Sequence, residues 1–159
     1  MRNAVIIGID PDAEMSGVAR VDGKDAVWAD RLPFPLLLDY LKGVRDECRR
    51  AGTKLAVYVE ATWQITHNWH VKPSDTKAVA AAKGKAVGAM CQTGKLLVEY
   101  CEHIGIDVTE QPPLKKCWKG KDGKITHEEL AFITGAGWKK KRSNQEERDA
   151  LLIAWVRAG

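Results

Sequence analysis

The first stretch of the chain constrains everything that follows it. Ala4-Val5-Ile6-Ile7-Gly8-Ile9 is an apolar run that stops at Asp10-Pro11. Its length and β-branched content read as a buried strand over residues 4–10. A carboxylate at the tip of a buried strand is costly to desolvate unless something pairs with it. A metal ion is the obvious partner, so the rest of the chain has to be searched for other ligands. After Pro11 the chain turns into a second strand at Ser16-Gly17-Val18-Ala19.

The 159 residues suit one domain, residues 1–159, and 45% hydrophobic content can fill its core. The net charge of +4 leans toward a polyanionic partner, although ordinary enzymes are equally basic. No apolar run approaches the ~20 residues that span a bilayer, and the N-terminus enters a strand directly rather than a leader. Cys48, Cys91, Cys101 and Cys117 form no C-x-x-C pair, which disfavours a zinc knuckle. They read as reduced thiols of a cytoplasmic protein.

Strands over 16–22 and 26–31, joined around Val21-Asp22-Gly23-Lys24, complete an antiparallel meander with the first. Within strand one, Ile6, Gly8 and Asp10 share a face. Pro33 and Pro35 close the meander. Leu37, Leu38, Leu41, Val44 and Cys48 then mark a helix over 36–51, stopped by Gly52. Residues 55–60 read as a buried strand that again ends in a carboxylate, Glu60. A strand, a crossover helix and a strand make a parallel pair, so Asp10 and Glu60 are expected at one edge of the sheet.

The loop over 62–75 carries Trp63, His67, Trp69, His70 and Lys72. Aromatic-rich loops are often functional, but Trp63 or Trp69 can equally pack back on the sheet. The two histidines lack an evident third zinc ligand. Residues 76–105 read as one long helix or two joined. Its stripe of Lys77, Ala81, Gly84, Gly88 and Gln92 needs compensation, because each mid-helix Gly costs about 1 kcal/mol relative to Ala. Packing within the chain or a dimer contact would supply it, and a contact at Gly84 and Gly88 is the reading preferred.

A strand over 106–110 leads into a basic, turn-rich region holding Lys115, Lys116 and Lys124. Thr126 with Glu129 fits a capping box, and that helix stops at Gly135-Ala136-Gly137. The run Lys139-Lys140-Lys141-Arg142 reads by default as solvated surface. It directly precedes a last helix starting at Ser143 or Asn144, which makes Lys140 and Arg142 candidate DNA contacts. In that helix Glu146, Asp149 and Ile153 share one face, though the acids could simply complement the helix N-terminus. Four converging carboxylates, Asp10, Glu60, Glu146 and Asp149, would repel one another. They suit hard oxygen ligation of Mg²⁺ or Mn²⁺, and two such ions about 3.5–4 Å apart can hydrolyse a phosphodiester.

Ile7-Gly8-Ile9-Asp10-Pro11, Val59-Glu60 and Glu146-x-x-Asp149-Ala150-Leu151, in this order and context, resemble the RuvC family of Holliday junction resolvases. The resemblance spans nearly the whole chain. It implies an α/β RNase H-like fold: a five-stranded mixed sheet, its first three strands antiparallel, flanked by helices. It implies catalytic metal ligands at Asp10, Glu60, Glu146 and Asp149, a homodimer acting on four-way junctions or related branched DNA, and products with a 5′-phosphate and a 3′-hydroxyl. It also implies that Trp63 stacks on bases and that lysines among Lys115, Lys116 and Lys124 contact DNA.

Glu146 departs from the family's usual Asp, and Glu147 competes with it, although Glu147 lies only two residues from Asp149 and so points to another helix face. Asp12 stands where the family turn usually has Gly; it reads as a turn residue able to adopt a left-handed conformation. Two other readings remain open. One keeps the fold and changes the substrate to a flap or an RNA–DNA hybrid. The other is a non-catalytic nucleic-acid binder. A phosphate-cradling ATPase is disfavoured by the missing G-x-x-x-x-G-K-[ST] loop.

Overall fold

The computed structural model describes residues 4–23, 26–65 and 71–159. Three antiparallel strands open the chain: β1 (Val5–Asp10), β2 (Met15–Asp22) and β3 (Ala26–Pro33). Helix α1 (Phe34–Ala51) crosses over to β4 (Leu55–Glu60), which pairs parallel with β1. Helix α2 (Lys77–His103) then leads to β5 (Asp107–Gln111), parallel to β4. The sheet order is β3-β2-β1-β4-β5. This is the five-stranded mixed sheet expected from the sequence. The chain ends with α3 (His127–Thr134) and α4 (Gln145–Ala158).

Strand alternation divides the apolar side chains between two cores. Val5, Ile7 and Ile9 of β1, with Val57 and Val59 of β4, pack against Leu37, Leu41 and Val44 of α1 and Leu97 of α2. On the opposite face Ile6, Ala19, Val21 and Ala29 meet Leu130 of α3 and Ala150, Leu151 and Ala154 of α4. Both faces are therefore covered, as a sheet with parallel strands requires.

The ends of the elements differ from the expectation in informative ways. Helix α1 begins at Phe34, with Pro33 as its N-cap and Pro35 inside the first turn. Proline is tolerated there because first-turn N–H groups have no helical partner to lose. The capping box forms: the Thr126 hydroxyl accepts from the Glu129 N–H (3.2 Å), and the Glu129 carboxylate accepts from the Thr126 N–H (3.1 Å). Asp12 corrects the left-handed expectation. Its carboxylate accepts from the N–H groups of Glu14 (2.9 Å) and Met15 (3.3 Å), so it bridges the turn by hydrogen bonding, without positive φ.

The four cysteines are free thiols; Cys48 and Cys101 are buried and Cys117 is exposed. Among the described residues no helix is long and apolar enough to cross a membrane. Lys24 of the hairpin turn and His67, Trp69 and His70 of the aromatic loop lie outside the described residues.

Candidate active site

Three elements bring four carboxylates to one cleft. Ile7 and Ile9 point into the α1–α2 core, so Gly8 and Asp10 face α4. The same alternation in β4 sends Val57 and Val59 inward and sets Tyr58 and Glu60 on α4's side. Because Ile9 is in register with Val59, Asp10 and Glu60 follow as neighbours at the adjacent strand ends.

Helix α4 lies almost directly on the backbone of β1 and β2. A Cβ at Gly8 would run into the Ala150 carbonyl and come within 2.9 Å of the Ala154 nitrogen; one at Gly17 would run into the Glu146 carbonyl. Gly17 is itself paired with Asp10 across the sheet. Two side-chain-free positions thus let the first turn of α4 settle beside the end of β1. Glu146 and Asp149 then line the same cleft, of about 490 Å³, as Asp10 and Glu60. Lys115, Lys116 and Lys124 line it as well, and Ala86, Val87 and Met90 of α2 form an apolar wall.

The electrostatics are those of crowded acids. Asp10 keeps some surface on the cleft, but its carboxyl is packed round with protein. That burial, reinforced by the charges of Glu60, Asp149 and Glu146, holds its pKa well above the ordinary carboxylate range against the opposing pull of Lys124. Burial likewise raises Glu60, with Asp149 adding to the effect, while the hydrogen bond to Asp10, Lys124 and Lys116 work against it. Burial raises Asp149, offset by a hydrogen bond from Gln145 and by the charges of Lys124 and Arg148. Asp10 and Glu60 are within hydrogen-bonding reach of each other. Lys124 acts on all three acids.

This donor set fits a hard divalent cation: every candidate ligand atom is a carboxylate oxygen, and a cation would remove the repulsion that now raises their pKa values. Among the described residues no three acidic, histidine or cysteine side chains already stand as a preformed cage. Asp10 is turned to Glu60, and Asp149 accepts from Gln145 at 2.7 Å. Binding an ion therefore requires Asp10 and Glu60 to exchange each other for the metal, while Asp149 keeps a second oxygen beside the one that Gln145 engages.

Several residues singled out in the sequence have other duties. Glu147 is buried away from the cleft, where it accepts from Lys140 Nζ (2.6 Å) and from Asn144 Nδ2 (2.9 Å). This leaves Glu146 as the acid that lines the cleft with Asp149. Lys140 is exposed like the rest of its run, but its ammonium is committed within the chain: it is held by the buried Glu147 carboxylate and donates to the Ala29 carbonyl (3.3 Å). Arg142 is exposed.

Trp63 is half-buried, not a free platform for a base. Its ring lies so close to Gly94 of α2 that a Cβ there would collide with it, and Pro11 borders the same spot. Its indole N–H donates to Glu110 Oε1 (3.1 Å), and Gln64 donates to the other oxygen (3.3 Å). The short 3₁₀ turn Thr62–Gln64 that follows Glu60 is thereby tied to β5. Gly84 and Gly88 sit on the exposed part of α2, and among the described residues no other element comes within 4 Å of a Cβ placed on either.

Sequence reasoning did not single out Gly17 as a close-approach position, nor Gln145 and Arg148 as neighbours of the acids. Gly8 carried a signal: a glycine two residues before Asp10, on its face of the strand. Gln145 and Arg148 carried none, since their partners come from a distant segment.

No family model matches the chain, and no curated protein matches it. Solved structures do. The chain is similar to Thermus thermophilus RuvC in complex with Holliday junction substrate, at 18% identity and a TM-score of 0.51, with 98% of this chain and 96% of that chain covered. It is also similar to a second Thermus thermophilus RuvC structure, at 22% identity and a TM-score of 0.44, with 97% and 93% covered. The first similarity, with the sheet order, shows the RNase H-like fold of RuvC.

Proposed function

We propose that the chain is a divalent-metal-dependent endonuclease that cuts branched DNA, with four-way junctions as its substrate. The observation that carries this reading is the single cleft shared by Asp10, Glu60, Glu146, Asp149 and three lysines. A neighbour of the same fold was captured with a Holliday junction substrate, which favours a four-way junction over a flap or an RNA–DNA hybrid.

Asp10, Glu60, Glu146 and Asp149 would hold Mg²⁺ or Mn²⁺. Bound there, a pair of ions supplies an activated water and stabilises the leaving oxygen. Lys115, Lys116 and Lys124 neutralise the phosphates that enter the cleft. Lys124 also offsets the negative charge of three acids and so keeps them ionisable. Arg142, exposed just before α4, would meet the backbone further along the duplex. Base stacking by Trp63 requires its release from Gly94 and Glu110, so Trp63→Ala lowers stability as well as junction affinity. A homodimer, joined along the exposed part of α2 at Gly84 and Gly88, would present two clefts to opposed strands.

The test is cleavage of a labelled four-way junction beside linear duplex, flap and RNA–DNA hybrid controls. The expected result is Mg²⁺-dependent nicking of the junction, abolished by chelation and by Asp10→Asn. Cleavage of the hybrid or flap in preference to the junction would reassign the substrate. Absence of cleavage on every branched substrate would reject the enzyme.

A further inference from the structure

We propose that Gln145 and Arg148 are positioning residues that set the Asp149 carboxylate and the Lys124-bearing segment relative to each other. The inference deepens the metal-site reading above and rests on it.

Arg148 is engaged at all three of its nitrogens. Nε donates to the Ile125 carbonyl (3.1 Å), Nη1 to the Ser143 carbonyl (2.6 Å) and hydroxyl (3.2 Å), and Nη2 to Gln145 Oε1 (2.9 Å). The last bond decides how the Gln145 amide is turned. An arginine only donates, so the amide oxygen must face it, and the amide nitrogen must face the other way. That nitrogen donates to Asp149 Oδ1 (2.7 Å) and to the Ile125 carbonyl (3.3 Å). One oxygen of Asp149 is thus engaged by an oriented donor, and the other is left for a cation.

Ile125 is buried and follows Lys124 directly. Its carbonyl receives both side chains, so the segment that carries Lys124 is bound to the turn of α4 that carries Asp149. Ser143, at the entry to α4, is held from the other side by His127 Nδ1 (2.7 Å). A planar guanidinium with its fixed fork is suited to joining three groups in this way; a lysine is not.

The test is Mn²⁺ binding by calorimetry on the full chain without DNA, with thermal melting as the fold control. Gln145→Met keeps side-chain length and helix propensity but makes none of the three side-chain hydrogen bonds of Gln145. It is expected to bind Mn²⁺ roughly 10–100-fold more weakly while melting near the wild type, the usual cost of losing a partner that orients a metal ligand. Arg148→Lys keeps the positive charge beside Asp149 but cannot join Gln145, Ile125 and Ser143. It is expected to show a loss of the same order, which charge alone would not produce. Wild-type affinity in either folded variant overturns the proposal and leaves the metal site standing. Absence of Mn²⁺ binding by the wild type overturns the metal site itself.

Discussion

Gly8 and Gly17 lie under α4, and Gly84 and Gly88 lie along α2. The residue type is the same and its use is opposite. At the first pair the missing side chain is filled by another element's backbone: the Ala150 and Glu146 carbonyls occupy the space a Cβ would take. At the second pair nothing among the described residues comes within 4 Å of an added Cβ. Helix α4 is accordingly buried along Ala150–Ala154. Helix α2 has its buried positions only from Gly94 onward, where Trp63 lies on it. The comparison teaches that a glycine stripe signals close approach without saying to what. Under α4 the approach is internal and builds the cleft; along α2 the glycines are exposed, with no described residue against them.

The largest expected effect comes from closing the internal approach. Gly8→Ala or Gly17→Ala sets a methyl group against backbone, which cannot rotate away. We expect a loss of about 3 kcal/mol, read as a lower denaturant midpoint. Junction cleavage should fall more than 100-fold, because the displaced helix carries Glu146 and Asp149. Wild-type activity in a folded Gly17→Ala protein would break the contrast.

Next is the anchor on the far side of α4. Lys140→Met leaves the buried Glu147 carboxylate with Asn144 as its remaining partner, at a cost of about 2 kcal/mol in chemical denaturation. Cleavage per folded molecule should change little, because Glu147 is turned from the cleft.

The third prediction concerns the acids themselves. Asp10 has its pKa raised by burial and by the charges of Glu60 and Asp149, and Glu60 by burial and the charge of Asp149, so the folded state holds their protons to higher pH than the unfolded chain does. Their contribution to stability is therefore full below the ordinary carboxylate range and is lost as pH rises through the raised values. Without divalent metal the protein should melt at lower temperature at pH 7.5 than the other groups alone dictate. Mg²⁺ should raise the melting temperature more at pH 7.5 than at pH 5. Asp10→Asn should remove much of this metal-dependent gain, stabilise the metal-free protein by about 1 kcal/mol and abolish cleavage.

The smallest effect falls on the outward glycines. Gly84→Ala should strengthen α2 by about 1 kcal/mol in the isolated chain, measured by melting at low concentration. If α2 joins two copies, the same substitution raises the dimer dissociation constant in sedimentation equilibrium. Unchanged association would remove Gly84 from any interface.

Much of the site could be read in advance because it depends on short-range rules. Strand alternation put Gly8 and Asp10 on one face, the crossover rule set Glu60 beside Asp10, and helical spacing put Glu146, not Glu147, with Asp149. Lys140 could not be read this way. A cation run looks solvated until the fold brings a buried carboxylate, seven residues on, against one member of it. Trp63 was equally open, because whether a ring packs or protrudes depends on a glycine in another helix. Gln145 and Arg148 were silent for the same reason: their common acceptor is the Ile125 carbonyl, and a backbone carbonyl has no signature in a sequence.

By itself, then, the sequence determined the order of strands and helices, the ends at which the acids emerge and the chemical kind of the site, since periodicity and side-chain type are local properties. Tertiary structure decided which charges are spent within the chain and which face the cleft. It also decided how near α4 comes to β1 and what orients Asp149. Those outcomes depend on distances between segments far apart in the chain, and such distances exist only once both faces of the sheet are packed.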